Sequence, residues 1–511
     1  MSISLTGIDI TTPLPGMKRE LAPNRGSSGG ATAARAMFIG GNKMAATGTT
    51  TADGIGTAND TPVLITGGED EVVQRYGYHS ELLTLYRTAV SANPDIAIWM
   101  AFVQLGTGTA TVDFTFATAA DRQGVVRFTC LGENIEVAVA SGDSVTTVAT
   151  AVKNAINAQL HWPVVASNVA GVLTVAASMA GSRHTYPITM ARCAFTKAGN
   201  AMTVSKGSVT AGSTDDDWSN LILALENYDI YHQVNPKNIT SAATSTDNGI
   251  GEHLAAMTDW ISPSKGKQAV LHSGQVGTPT QATTVATSLN QWYAFHWHAE
   301  SNDWTPGMLA AHCAAAKAYV EASDRGAHMA FYGTRSSSDR FYVPDPFAKT
   351  DRSTKTEQIV MLNAGVSPIG FTGSGKPYVV WDVTTKCQTN SQSDYRARPG
   401  HMPSALFDFW ESTQSEAASI QQLKIAEDPA QGEKPLPGFN YPRDYKALLY
   451  RMIDLKIDNG AATLDPAQRA AMKASVIAEL QGAGVGCRAD LRVVRHNLKQ
   501  NFLINEVSPS I

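Results

Sequence analysis

The chain has 511 residues, of which 43% are apolar and 17% charged, with a formal net charge of −5. This length predicts about three or four folding units, and a charged fraction below the roughly 25% of ordinary soluble domains predicts surface covered by neighbouring protein. No run of like charges exists to grip nucleic acid or an anionic membrane, and the longest apolar run, Ile96–Val103, has eight residues against the about 20 of a spanning helix.

The chain opens with a short alternating strand, Ile3 and Leu5 followed after Gly7 by Ile8 and Ile10, with no local hairpin partner. Pro13, Pro15, Gly16 and the Gly/Ser-rich stretch Asn24–Gly30 separate it from the first folded unit. The Met-Ser-Ile-Ser-Leu start lacks a basic segment leading into an apolar one, so the protein is expected to be made and kept in a cytoplasm. From Arg35 the pattern is strand (Ala36–Ile39), strand (Pro62–Ile65), helix and strand (Asp95–Val103). Ser80 is placed to cap the helix, which carries Leu82, Leu83, Tyr86 and Val90 on one face.

At Gly106 the composition shifts to Thr, Ala and Gly, with strands of period two at Val112, Phe114 and Phe116, at Val125–Phe128, and at Ile135, Val137 and Val139. Asp143 and Ser144 can cap a helix with the stripe Val145, Val148, Val152, Ile156, and strands follow at Val164 and Val172–Val175. Residues 105–212 therefore read as a small domain interrupting a larger one. Beyond the acidic cap Asp215-Asp216-Asp217, a helix carrying Trp218, Leu221, Ile222 and Leu225 precedes strands at Tyr228–Val234, Gln268–Ser273 and Trp292–His298. A helix begins at Thr305 with Pro306 in its first turn, runs through Leu309, Ala316 and Val320, and stops near Gly326. Near the end, Asp465, Pro466 and Gln468 signal a helix start, with Met472, Val476, Ile477 and Leu480 as its stripe and Gly482 as its stop. Leu491 and Val493, then Phe502 and Ile504, form final extended segments without neighbours.

Candidate chemistry is weak. Gly370-Phe-Thr-Gly-Ser-Gly-Lys376 spells a phosphate-binding loop through its lysine, but Pro377 stands where a Ser or Thr should hold Mg²⁺, and a strand follows where a helix should open. A hairpin turn accounts better for these glycines. His296, His298 and Glu300 alternate on one strand face, yet no further ligand pattern accompanies them, so partly buried structural histidines are expected. Ser262-Pro-Ser-Lys265 matches an acyl-transfer spelling but lies among turn residues. Cys130, Cys193, Cys313, Cys387 and Cys487 are too far apart for a zinc ribbon and read as reduced thiols. No catalytic residue, cofactor or metal site is expected.

Several stretches resemble the Mu-type contractile phage tail sheath family. Thr61-Pro-Val-Leu-Ile-Thr, Glu71–Tyr76, Gly77-Tyr-His-Ser-Glu-Leu-Leu and Ala92-Asn-Pro are similar to its first strand-helix-strand element, and Val137–Ser144 with the helix ending Ala155-Ile-Asn-Ala to its inserted domain. Asp339-Arg-Phe, Glu357–Gly365 and Thr384–Asn390 are similar to its later core segments. The resemblance implies hexameric rings stacked helically around a tail tube protein, with baseplate and tail terminator proteins as further partners. It implies a virion tail assembled in a host bacterial cytoplasm, and contraction that drives the tube through the host envelope. Terminal arms would add strands to neighbouring subunits, with Ile3, Leu5, Ile8, Ile10, Leu491, Val493, Phe502 and Ile504 as the arm residues.

The expected fold is α/β in its core and α+β as a whole: a discontinuous mixed-sheet core, an inserted small α+β domain facing outward, and extended terminal strand arms. The boundaries are an arm at 1–30, core at 31–104, insert at 105–212, core at 213–400, a helical part at 401–486 and a second arm at 487–511. Two alternatives stand beside the sheath reading: a cytoplasmic α/β enzyme binding a phosphorylated ligand at Gly370–Lys376, and a non-contractile virion structural protein.

Overall fold

The computed structural model describes residues 35–41, 61–103, 105–195, 200–237, 239, 241–243, 249–261, 267–300, 302–323, 329, 341–346, 349–389, 392–393, 399–401, 403–404, 406–408, 424–425, 428–430, 434, 439–458, 469–481 and 486–490. The chain forms two compact units, one of residues 34–321 and 328–403, the other of residues 1–33, 322–327 and 404–511.

The first unit starts with β1 (Met37–Gly41), β2 (Val63–Leu64), α1 (Gly68–Tyr76), α2 (Glu81–Ala92) and β3 (Ile98–Phe102). Glu71 begins α1 by folding its carboxylate back onto the Thr66 and Gly67 amides at 2.8 and 2.7 Å. Those bonds, ahead of the nearby Arg75 guanidinium, hold its pKa at about 2. Ser80 caps α2 as expected, its Oγ accepting from the Leu83 amide at 3.1 Å. The buried face of α2 is wider than the predicted stripe, taking in Leu85, Thr88, Ala89 and Ala92 while Tyr86 and Val90 are half-buried.

The segment read from the sequence as an insert, here termed the insert, lies within this same unit and holds β4 (Thr109–Ala117), β5 (Gly124–Cys130), β6 (Glu133–Val139), α3 (Val145–Asn157), β7 (Val164–Val169), β8 (Val172–Ala180), α4 (Thr185–Met190), β9 (Arg192–Phe195) and β10 (Thr203–Lys206). These strands make two small sheets, in the orders β10-β4-β8-β7 and β6-β5-β9. Ser144 caps α3, accepting from the Thr147 amide at 3.1 Å, and Val148, Val152 and Ile156 fill the space beneath it.

The chain then returns through α5 (Ser219–Leu225), β11 (His232–Val234), α6 (Ile250–Trp260), β12 (Val270–Gln275), α7 (Pro279–Leu289), β13 (Ala294–His298), α8 (Pro306–Ser323), α9 (Lys355–Asn363), β14 (Ser367–Phe371) and β15 (Pro377–Val379). Eight strands join in the order β15-β14-β13-β12-β11-β1-β3-β2. The six from β14 to β3 run parallel, with β15 and β2 antiparallel at the edges. The chain is thus α+β, with a mixed eight-stranded sheet at the centre of its larger unit. Helices on a parallel sheet bury both its faces, and β12 and β13 are buried along their whole length.

In the second unit, Lys424–Ile425 pairs in parallel with Phe439–Asn440, and α10 (Pro442–Asp458) packs on α11 (Arg469–Ala474) in a cluster of Leu449, Met452, Ile453, Ile457 and Met472 that also takes in Val476 just after α11. Here the sequence reading needs correction. The helix containing Met472 ends at Ala474, and Ile477–Gln481 is a strand paired antiparallel with Gly486–Asp490, not a continuation carrying Ile477 and Leu480. Helical spacing is present through Leu480, but the β-branched pair Val476-Ile477 and five cross-strand residue pairs favour the hairpin. Among the described residues, each hairpin strand has one edge with no strand paired to it. The helix start at Asp465–Gln468 and the arm residues Ile3, Leu5, Ile8, Ile10, Leu491, Val493, Phe502 and Ile504 lie outside the described residues.

Candidate functional site: a filled switch point and a buried polar array

In a parallel sheet, ligands settle beyond the carboxyl ends of the strands where the strand order reverses. Here that place is the end of β1, flanked by β3 on one side and β11 on the other, and protein occupies it. A Cβ on Gly40 would come within 2.6 Å of the Trp218 ring, and one on Gly41 within 3.0 Å of Leu82 and 3.1 Å of a Glu81 carboxylate oxygen. Glycine is therefore required for close approach, as it is where a backbone meets a cofactor, but the group approached is an indole.

Beside Trp218, Arg183 reaches out of the insert to ion-pair with Glu81 of α2 at 2.8 Å and with Asp216. All three side chains are at least nine-tenths buried. Asp216 also accepts from the Gly106 amide at 3.3 Å, so one carboxylate gathers both the entry and the exit of the insert. Burial raises the Asp216 pKa, with Arg183 pulling the other way. The cavity lined by Glu81, Thr84, Arg183, His184 and Pro306 holds about 10 Å³, room for a single water and nothing larger. None of the acidic triplet read as a helix cap is the N-cap of α5, which is Trp218; Asp217 accepts from the Ser219 amide at 3.0 Å, and Asp215 pairs with Lys237 at 3.2 Å.

The second concentration of polar groups lies within the sheet. Trp297 Nε1, which can only donate, points at His272 Nδ1 at 3.2 Å. That leaves the His272 proton on Nε2, directed at His232 Nδ1 at 3.1 Å, and so places the His232 proton on its own Nε2, facing the Glu321 carboxylate at 3.5 Å. One indole thus sets the tautomers of two histidines in series. Glu321 and Lys317 are one turn apart on α8, their charged atoms 3.2 Å apart, and Lys317 Nζ meets Asp382 Oδ2 at 2.9 Å. Burial opposes the Lys317 charge, but Asp382 and Glu321 outweigh it and the ammonium pKa is raised.

His296 and His298 are fully buried. His296 Nδ1 lies 2.9 Å from Ser273 Oγ, and His298 Nε2 donates to the Gly277 carbonyl at 2.9 Å. Burial lowers their pKa values to about 3 and about 4, keeping them neutral. Among the described residues no group of His, Cys, Asp and Glu is placed to hold a metal ion. Gly370–Lys376 closes the β14–β15 hairpin. Its Thr372, Gly375 and Lys376 amides bond within the turn at 2.9 to 3.0 Å, and Gly375 has φ +84, so those donors are turned away from any phosphate. Ser262–Lys265 lies outside the described residues.

Sequence reasoning missed Arg183, Glu81 and Asp216, and also Lys317, Glu321 and Asp382. Only the Lys317/Glu321 spacing of four residues inside an alanine-rich helix offered a signal, since a charge pair among residues that small has little side chain to shelter it.

No family model matches the chain, and no curated protein matches it. Among solved structures it is similar to the sheath tail protein of Desulfitobacterium hafniense, at 11% identity and TM-score 0.45 over 93% of this chain and 99% of that one. It is similar to a sheath tail protein of Listeria innocua, at 11% identity and TM-score 0.45 over 91% and 92%. A third similar structure is the baseplate of the anti-feeding prophage, at 13% identity and TM-score 0.29 over 50% and 71%.

Proposed function

We propose that the chain is the structural subunit of a contractile tail sheath. It polymerises helically around a tail tube and contracts to drive the tube through a host envelope, and it is not an enzyme. The observation that carries this reading is where the sheath-like sequence stretches fall. Thr61–Thr66 contains the edge strand β2, and Gly77–Leu83 contains the Ser80 cap and the first turn of α2. Far along the chain, Glu357–Gly365 ends at Gly365, with φ +84, where a Cβ would sit 2.7 Å from the Thr385 carbonyl oxygen. Thr385 in turn donates its amide to Ala294 at the start of β13, at 2.8 Å. Cys387 and Gln388 donate to the Asn290 side chain at the turn before β13, at 3.1 and 3.0 Å. Stretches separated by some 300 residues of sequence therefore belong to one sheet and its covering, and the place where that sheet would bind a ligand is filled by Trp218 and the Arg183 cluster.

In this reading the arm at 1–30 and the part of the second arm beyond Asp490 add strands to neighbouring subunits, since residues 487–490 pair with Ile477–Gln481 within the chain; the hairpin edges that have no strand paired to them among the described residues are suitable acceptors. The core then repacks during contraction while the arms keep subunits joined, the extended arrangement being the higher in free energy. The tube, baseplate and terminator proteins are its partners, and the virion tail is its place. Deleting residues 1–15 tests the linkage: the shortened chain should stay soluble and folded by circular dichroism yet fail to build long tubes. Full-length tubes from the shortened chain would remove the arm from the account.

A further inference from the structure

The Lys317 site combines features that an ion pair alone does not need. Lys317 and Asp382 are both fully excluded from solvent, with Nζ 2.9 Å from Oδ2. A second carboxylate, Glu321, reaches the same ammonium at 3.2 Å and is 4% exposed. The other Asp382 oxygen, Oδ1, accepts from the Met329 amide at 2.9 Å, and the Phe295 ring lies 5.2 Å from Nζ. Gly400 closes the site from another side, since a Cβ there would come within 2.2 Å of Asp382 Oδ2. A buried amine held against a carboxyl group, with a proton acceptor on the amine, a fixed donor on the oxygen that will carry charge, and water excluded, is the arrangement acyl transfer to an amine requires.

We propose that Lys317 and Asp382 condense to a side-chain amide cross-link, with Glu321 carrying the protons. Glu321 takes a proton from the Lys317 ammonium and passes it to Asp382 Oδ2, and the freed nitrogen lone pair forms a bond to Cγ of the resulting neutral carboxyl group. The negative charge of the tetrahedral intermediate rests on Oδ1, against the Met329 N–H. The Cγ–Oδ2 bond then breaks with its electrons staying on oxygen. Two of the three ammonium protons leave with that oxygen as water, delivered through Glu321, and the third stays on the amide nitrogen. Glu321 ends as it began and no oxidant or co-reactant is consumed. Proximity can replace an activating agent here because the reacting groups are already held together and the water formed has no bulk solvent around it. The link would tie α8 to the segment after β15 across 65 residues of sequence, and it stands whether or not the chain is a sheath subunit.

The test is the mass of the full chain, stored folded and then denatured, followed by peptide mapping. The expected result is a mass lower by one water and a branched peptide joining Lys317 to Asp382, both absent in Lys317→Met and strongly reduced in Glu321→Gln. A wild-type chain of full sequence mass would overturn the proposal, as would a lost water that maps to any other pair of residues. Because the wild-type measurement decides by itself, poor folding of a variant leaves the test intact.

Discussion

The insert and the large sheet are both built of short strands and capped helices, yet they treat polar residues in opposite ways. In the insert, β4 alternates between exposed and buried positions, with Val112, Phe114 and Phe116 inward and Asp113 and Thr115 outward. In the large sheet, His232, Gln233, His272, Ser273, Gln275, His296 and His298 lie on strands and are at most 1% exposed. A sheet with one wet face sorts its residues by polarity, whereas a sheet covered by helices on both faces takes polar residues inside and must satisfy them there. The difference teaches that polarity along a strand points to solvent only where the strand has a solvent side.

The sharpest way to break this comparison is acid. Burial depresses the pKa values of His253 and His296 to about 3 and of His298 and His312 to about 4, from an ordinary 6.5. The unfolded chain therefore takes up protons that the fold refuses, so stability is intact above about 6.5 and falls as pH drops toward 4. The slope is up to about 1.4 kcal/mol per pH unit for each histidine. The insert holds one comparable residue among the described ones, His184. Asp216 at its neck has the opposite sign, because its raised pKa makes the fold the better proton binder as pH falls. Hydrogen exchange between neutral pH and about pH 4.5 should show β11–β13 losing protection while β4–β8 keep theirs; simultaneous loss would erase the distinction.

A smaller effect should follow from removing one charge of the buried array. Compared with a chain that has not yet condensed, Lys317→Met leaves Asp382 and Glu321 without the ammonium between them, and breaking a buried pair in this way costs about 3 to 5 kcal/mol. The urea midpoint of the large unit should fall accordingly; a midpoint within error of wild type would mean that the carboxylates are satisfied without Lys317.

Smaller still, and local, is the neck of the insert. Arg183→Ala removes the guanidinium shared by Glu81 and Asp216, at about 3 kcal/mol, and the loss should appear as proteolytic cleavage near 105–107 and 212–214, with the two halves of the large sheet still associated. Unfolding of the whole unit at once would instead make residues 105–212 integral to the core.

These contrasts set what the sequence could disclose. Ser80 and Ser144 were legible as caps because an N-cap needs only its own hydroxyl and the next turn's amide. The strands of the insert were legible from period two, and Pro377 was enough to turn Gly370–Lys376 from a phosphate loop into a hairpin. The missed features depend on groups distant in sequence. Arg183 meets Glu81 only after the chain has folded, and the register of Ile477–Gln481 with Gly486–Asp490 overrides a helical stripe that continues on paper to Leu480. The histidines of β13 were recognised as structural, but their full burial follows from helices on both faces, which the strand itself does not encode.

The central claim, that the chain is a subunit of a helical sheath and not an enzyme, is tested most directly by electron microscopy of the purified full-length protein. The account predicts striated tubes or short contracted cylinders, formed without added nucleotide. Discrete closed oligomers, accompanied by saturable ATP or GTP binding that Lys376→Ala abolishes, would contradict it and restore the phosphate-ligand reading of the Gly370–Lys376 loop.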